Sequence, residues 1–245
     1  MARFSRLKVL NTMVGTGVVP VFYDPSIEVS KKVAAACVEG GVPLLEFTNR
    51  GDHAWEVFSQ LERFCAKELP RLILGVGSIV DPGTASLYIN CGANFVVGPV
   101  LNPDVARACN RRKVPYSPGC GSASEISQAE ELGCEIVKLF PSSAMNGPEF
   151  VRSLRGPMPW SRVMPTGSAV RYSEEEVGEW IAAGACALGT GLAVFDPALV
   201  AGRQWDAIAL RVRTLLKWIR DSRESGRAPL GRPAHEDSPP SGRGG

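Results

Sequence analysis

The chain has 245 residues, 44% of them hydrophobic and 21% charged, with a net charge of +2. This is the composition of an ordinary globular protein, long enough for one large α/β domain or two small ones. No apolar run approaches transmembrane length and no long basic stripe appears, so neither a membrane nor nucleic acid is an expected partner.

Residues 4–15, FSRLKVLNTMVG, read as a short amphipathic helix. They carry basic residues without a sustained apolar stretch or a small-residue cleavage site, so they do not read as a secretory signal. From residue 17 to about 220, strand-sized apolar runs alternate with helical patterns. The runs are VVPVF (18–22), PLLEF (43–47), RLILGV (71–76), NFVVG (94–98), VPYSP (114–118), EIVKLF (135–140), RVMP (162–165) and ACALG (185–189). The segments 26–41, 52–69, 103–113 and 122–134 are helical examples between them, most closed by glycine or a polar residue. Gly40-Gly41, Gly92-Ala93 and Gly184-Ala185 each precede a run, as short helix-to-strand turns do.

Such alternation predicts parallel strands joined by right-handed crossovers. Eight units in about 200 residues predict a (β/α)8 TIM barrel, with the N-terminal helix covering its bottom. An open doubly wound sheet is the alternative, but VPVFYDPS lacks the glycines of a dinucleotide-binding turn. A last helix over 203–220 places Trp205, Ile208, Val212, Leu215, Leu216 and Ile219 on one face. After Ser222 the chain is rich in Pro, Gly, Ser and Arg. The expected organisation is therefore a single domain over 1–221 and a disordered tail over 222–245.

The seven cysteines are odd in number and none has CxxC spacing, which argues against a disulfide framework and a zinc site. They read as reduced core residues of a cytoplasmic protein. Cys120, in the loop SPGCGS, reads as a small packing residue, with a reactive thiol as the alternative. Only His53 and His235 are present, too few for histidine-based hydrolysis or a multi-histidine metal centre. His53 reads as a solvent-facing residue at a helix start, with reach to substrate as the alternative because it follows a candidate site segment. No metal or cofactor is expected.

Lys138 stands out. It lies among Ile136, Val137, Leu139 and Phe140, in a run that ends at Pro141. Burial pushes an ammonium toward its neutral amine, which can attack a ketone or aldehyde and form a Schiff base. A lysine at a strand end can instead snorkel, its stem in the core and its head in water. The six other lysines lie in polar or helical settings, and Lys138 shares strand parity with Phe140.

Chemistry in such a barrel gathers at the C-terminal strand ends. Glu46 is a carboxylate inside the apolar run LLEFT, a setting that raises its pKa and suits proton transfer near neutral pH. It could equally be the inert partner of Arg50 or Lys138 in a buried ion pair. Arg50 offers a planar fork for a carboxylate. Ser78 and Pro99 follow the third and fourth runs. Thr166, Gly167 and Ser168 follow the seventh, and Gly189, Thr190 and Gly191 the eighth, where open glycine turns can admit an anion. A phosphosugar isomerase or epimerase, with Lys138 merely holding an anion, and a non-catalytic keto-acid binder remain open on these residues.

VVPVF, GGVPLLEFTNR, GVGSIVDP, GANFVVGP, VKLFP and MPTGS, in this order over about residues 15–200, resemble the class I aldolases of 2-keto-3-deoxy-6-phosphogluconate and 4-hydroxy-2-oxoglutarate. The resemblance implies cleavage of a 2-keto-4-hydroxy acid to pyruvate and an aldehyde. It implies Lys138 as the Schiff-base lysine, Glu46 as the acid/base acting through a water, and Arg50 as the holder of the pyruvyl carboxylate. Thr166, Phe140 and Pro99 would surround the pyruvyl part, and Gly167 and Ser168 would bind a distal phosphate. A homotrimer without metal is implied too. The chain departs from the family pattern at Ser78, where threonine is usual, at Ser168, where a second glycine is usual, and near Gly191, where many members carry serine. The loop after Asn49, Gly51-Asp52-His53, also differs. These changes touch the distal end of the substrate and leave the pyruvate end intact.

Overall fold

The computed structural model describes residues 2–167 and 170–227, and within them parallel strands alternate with helices. Helix α1 (Arg6–Thr16) begins where the Ser5 hydroxyl accepts a hydrogen bond from Lys8 N (3.3 Å) and ends at Gly17, whose φ of 78° suits a residue without a Cβ. It buries Val9, Leu10 and Met13 and leads into β1 (Val18–Phe22). Then come α2 (Ile27–Gly40), β2 (Leu44–Thr48), α3 (Ala54–Glu68), β3 (Ile73–Gly77), α4 (Pro82–Asn90), β4 (Val96–Val97), α5 (Pro103–Arg111), β5 (Tyr116–Ser117) and β6 (Gly119–Cys120). The second half carries α6 (Ala123–Glu131), β7 (Val137–Leu139), a 3-10 turn (Ser142–Ala144), α7 (Gly147–Arg155), β8 (Val163–Pro165), α8 (Glu174–Ala183), β9 (Leu188–Thr190), α9 (Pro197–Ala201) and α10 (Trp205–Ser222).

Side-chain caps start many of these helices just beyond a strand. Ser26, Asp81, Asn102, Ser122 and Ser173 each accept from an amide in the first turn of the helix that follows. The chain therefore turns back on itself soon after each strand end and exposes that end to the same face.

All strand pairs are parallel, in one sheet ordered β5-β4-β3-β2-β1-β9 and another ordered β6-β7-β8. The fifth apolar run serves both sheets. Pro118 has no N–H and interrupts it, giving nine strands among the described residues where eight runs were expected. On one side of the break Ser117 O accepts from Gly98 N (3.0 Å); at the break itself Pro118 O accepts from Lys138 N (3.0 Å). At the opposite margins Thr166 bridges Gly189, and Gly167 N donates to Gly189 O (3.2 Å).

β2 and β3 are buried at every position, as parallel strands covered on both faces must be. Outside them α10 packs on α2. A Cβ on Gly40 would come 2.5 Å from Val212 Cβ, so glycine there sets the close approach of the two helices. The helical path runs past Ser222 into a π turn, Arg223–Arg227. Arg223 holds that turn by donating to Val14 O (2.9 Å), Gly15 O (3.0 Å) and Cys186 O (3.1 Å). Residues 228–245, the rest of the expected tail, lie outside the described residues, as does Ser168. Among the described residues no helix is long and apolar enough to cross a membrane.

Candidate active site

Lys138 sits in the middle of β7, paired in register with Gly119 on one side and Met164 on the other. It is 6% exposed. Burial pushes its pKa below the ordinary lysine value, with the nearby Arg50 charge acting in the same direction and Glu46 opposing it. Its Nζ lies 4.5 Å from the centre of the Phe140 ring.

Glu46 lies in β2 opposite Val21 and Gly75. It is 1% exposed, and its Oε2 has no hydrogen-bond partner among the described residues. Burial raises its pKa above the ordinary carboxylate value, while the positive charges of Lys138 and Arg50 pull the other way. Glu46 and Lys138 thus each feel the other and Arg50. A carboxyl whose pKa is raised and an amine whose pKa is lowered are both moved toward the neutral range, where they can exchange protons with a bound molecule in either direction.

Room for the carboxyl comes from β3. A Cβ on Gly77 would collide with Glu46 Oε1, and one on Gly75 with the Phe95 ring. The alternate glycines of ILGVG thus open the side of the strand on which Glu46 and Phe95 lie. Sequence reasoning missed Gly77, although two glycines at period 2 in a buried strand were a readable signal.

Arg50 follows β2 on a loop fixed by Asn49 N donating to Gly77 O (2.9 Å) and Tyr88 Oη donating to Asn49 Oδ1 (2.9 Å). Arg50 Nε donates to Ser78 Oγ (3.2 Å). Ser78 itself has a φ of 63°, the left-handed region that a residue with a Cβ enters at some cost. Thr166 is buried and donates to Met164 O (3.1 Å), while Ser142 Oγ donates to Thr166 O (3.0 Å). A Cβ on Gly189 would run into the Thr166 side chain.

These groups open on a cavity of about 630 Å³. Among the residues expected at the site, Lys138, Arg50, Phe140, Thr166, Gly167, Gly189 and Gly191 line it. Glu46 and Ser78 are not among the described lining residues; Ser78 accepts from Arg50 Nε. Pro99 lies beside Gly119, where its carbonyl leaves no space for a Cβ. Thr190 is fully buried and donates to Val170 O (3.3 Å), so its hydroxyl faces a neighbouring loop. Much of the remaining wall escaped the sequence reading: Val21 to Asp24 at the end of β1, and Leu192, Phe195, Pro197, Val200 and Ala201 around α9. Their one signal was position, at the end of the first run or in the segment that follows the eighth.

Two groups considered from the sequence lie away from this chemistry. His53 Nδ1 is 3.1 Å from Glu56 Oε1, with the ring exposed. Cys120 is buried in β6, and burial pushes its thiol up to about 12, far from a reactive thiolate.

The sequence model of the aldolase family described as KDPG and KHG aldolase matches residues 9–210. The 2-dehydro-3-deoxy-phosphogluconate aldolase of Treponema pallidum is 34% identical over 150 residues, which are 61% of this chain and 70% of that protein. The KHG/KDPG aldolase of Escherichia coli K12 is 32% identical over 150 residues, 61% of this chain and 68% of that protein. The solved structure of KDPG aldolase from Legionella pneumophila, with pyruvate captured as a covalent carbinolamine, matches with a TM-score of 0.75. It covers 83% of this chain and 96% of that one at 22% identity, a likeness of fold.

Proposed function

Since the chain belongs to the KDPG and KHG aldolase family, we propose that it is a class I aldolase cleaving a 2-keto-4-hydroxy acid to pyruvate and an aldehyde. The observation that carries this reading is Lys138: a buried amine with a lowered pKa, opening on a cavity it shares with Arg50 and coupled to the buried carboxyl of Glu46.

Neutral Lys138 Nζ attacks C2 of the substrate and forms a carbinolamine. Glu46, whose protonated form burial favours, delivers a proton by way of a water to the departing hydroxyl, and an iminium results. Arg50 grips the carboxylate and fixes the plane of the iminium, so the C3–C4 bond can stand perpendicular to it. The 4-hydroxyl gives its proton to Glu46 through the water, the C3–C4 pair flows to the iminium nitrogen, and the aldehyde leaves. The enamine takes a proton at C3, water adds to C2, and pyruvate departs with Lys138 restored. Phe140 and Thr166 flank the pyruvyl part, with Pro99 beyond them. The rest of the substrate extends toward Gly167, Gly189 and Gly191.

The same reading includes a closed eight-stranded barrel, supported by the Gly167–Gly189 hydrogen bond and by the hydrogen bonds that Ser117 O and Pro118 O accept from Gly98 N and Lys138 N, one from each sheet. It also includes a single domain over 1–221, a cytoplasmic setting and a homotrimer. Exposed apolar side chains at Val80 and Val100 support the last; their segments are joined by Asn102 Nδ2 donating to Val80 O (2.9 Å).

Borohydride added with pyruvate should reduce the adduct and increase the mass of the peptide carrying Lys138. Adduct formation by Lys138→Ala would refute the assignment. A retro-aldol screen of phosphorylated and unphosphorylated 2-keto-3-deoxy acids and 4-hydroxy-2-oxoglutarate should release pyruvate from at least one of them.

A further inference from the structure

Two segments form the part of the cavity wall toward which the rest of the substrate extends. After β8 the chain contributes Gly167, and after β9 it contributes Gly191, Leu192 and Phe195. The segments touch directly near their strand ends. Gly167 N donates to Gly189 O (3.2 Å), and Thr190 Oγ1 donates to Val170 O (3.3 Å).

A second link comes from α10, outside the strands. Arg211 Nε donates to Ala193 O (3.1 Å), between Leu192 and Phe195. The same guanidinium lies over the ring of Tyr172, 3.9 Å from its centre. Tyr172 belongs to the segment after β8 and also meets Trp218, with ring centres 4.8 Å apart. Trp218 is on α10 too, about two turns beyond Arg211. The helix itself is anchored, since it buries Ile208, Val212 and Leu215. Arginine suits this place because its planar group can stack on a ring and still give an in-plane N–H to a carbonyl.

We infer that Arg211 is a positioning residue: it fastens the segment after β8 to the segment after β9, so that both meet the aldehyde portion of the substrate as one surface. The inference rests on the aldolase reading above. Arg211 acts through Ala193 and Tyr172, and its effect grows with the reach of the aldehyde beyond C4. The pyruvyl end, held by Lys138 and Arg50, does not depend on it.

The full chain would be assayed in the addition direction with pyruvate and either glyoxylate or glyceraldehyde 3-phosphate. The first ends one carbon beyond the carbonyl that becomes C4; the second reaches much farther. Borohydride trapping of pyruvate alone would run in parallel. In Arg211→Ala, kcat/KM for glyceraldehyde 3-phosphate should fall about tenfold or more, and that for glyoxylate by less than about threefold, since misplaced contacts penalise only a substrate that reaches them. Pyruvate should be trapped at Lys138 at the wild-type rate. Tyr172→Leu keeps an apolar contact for Trp218 and removes the ring under the guanidinium. It should show the same selective loss, and the double variant should lose no more than about twofold beyond the larger single loss, as residues acting through one contact do. Should Arg211→Ala not fold, Tyr172→Leu decides alone. Equal losses for the two aldehydes, slowed trapping in the variants, or an unchanged rate with glyceraldehyde 3-phosphate overturns the inference and leaves the aldolase reading standing. So does a wild-type enzyme that traps pyruvate and does not consume glyceraldehyde 3-phosphate. Failure of trapping in the wild type removes the aldolase reading itself, and the inference with it.

Discussion

Lys138 Nζ and the face of the Phe140 ring lie 4.5 Å apart, two residues along one strand edge. The ring favours the ammonium form, because the face of an aromatic ring attracts a cation. Burial favours the free amine and is the larger effect, since the lysine's pKa is lowered. Replacing Phe140 with leucine keeps the site apolar and removes the attraction. The Lys138 titration midpoint should move to still lower pH in Phe140→Leu. The chemical shift of Lys138 Cε, followed against pH by NMR, would measure it; an upward move would show that the ring does not stabilise the charge.

Arg50 acts on the same group with the opposite outcome on removal. Its positive charge helps hold Lys138 below the ordinary lysine value. Arg50→Gln should therefore raise the Lys138 midpoint, so that adduct formation at neutral pH slows. The variant also loses the fork proposed for the carboxylate, and KM for the keto acid should rise by about tenfold to a hundredfold, as loss of a charged hydrogen bond costs. Ser78→Ala should give a milder rise in KM without moving the midpoint, because Ser78 only receives Arg50 Nε. A Ser78→Ala enzyme as impaired as Arg50→Gln would mean that the hydroxyl does more than hold the arginine.

Glu46 titrates above the ordinary carboxylate range because it is buried. The sign follows from linkage. A group whose folded pKa is raised binds its proton more tightly in the folded state, so stability falls as pH rises through that pKa. Glu46→Gln cannot ionise and escapes this loss. Its Tm relative to wild type should climb as pH increases from below the ordinary carboxylate pKa to above the raised one. Turnover in the variant should fall by about 10²–10⁴, the usual worth of a positioned acid–base, while borohydride trapping of pyruvate persists at a reduced rate. A Tm difference that is flat with pH would place the ionised form in the folded protein at no cost.

The fold and the site were unequally legible. Eight apolar runs and the helical stretches between them were readable because strands buried on both faces are nearly continuous in Val, Ile and Leu. Strand extents were not: the run 94–98 keeps only Val96–Val97 as β4, and Pro118 divides another, because pairing with neighbours sets the ends. Lys138 and Glu46 announced themselves as charges among apolar neighbours. Phe22, Leu192 and Phe195 did not, since an apolar residue facing a cavity has the same local pattern as one facing the core. Arg223 was assigned to the tail because composition changes there, yet its guanidinium satisfies three main-chain carbonyls of the body.

Gly77 tests whether the position of Glu46 is imposed by its neighbours. A Cβ at this position would strike Glu46 Oε1 and come 2.7 Å from its Cδ and 3.0 Å from its Cγ. The carboxyl is buried and the strands on either side are paired, so little can give. Gly77→Ala should destabilise by about 1–3 kcal/mol, the usual cost of forcing a methyl into a packed interior. Pyruvate turnover should fall with it as the carboxyl is pushed away from Lys138. The two effects share one cause, so they should vanish together when Glu46 is shortened. In the background of Glu46→Ala, adding Gly77→Ala should cost little stability, because the methyl enters space the carboxyl has left. Denaturant unfolding of the two single variants and the double variant closes the cycle, and contacting residues should show a coupling of about 0.5–3 kcal/mol. Additive costs would mean that the glycine is needed for the backbone of β3 itself and not for the acid opposite.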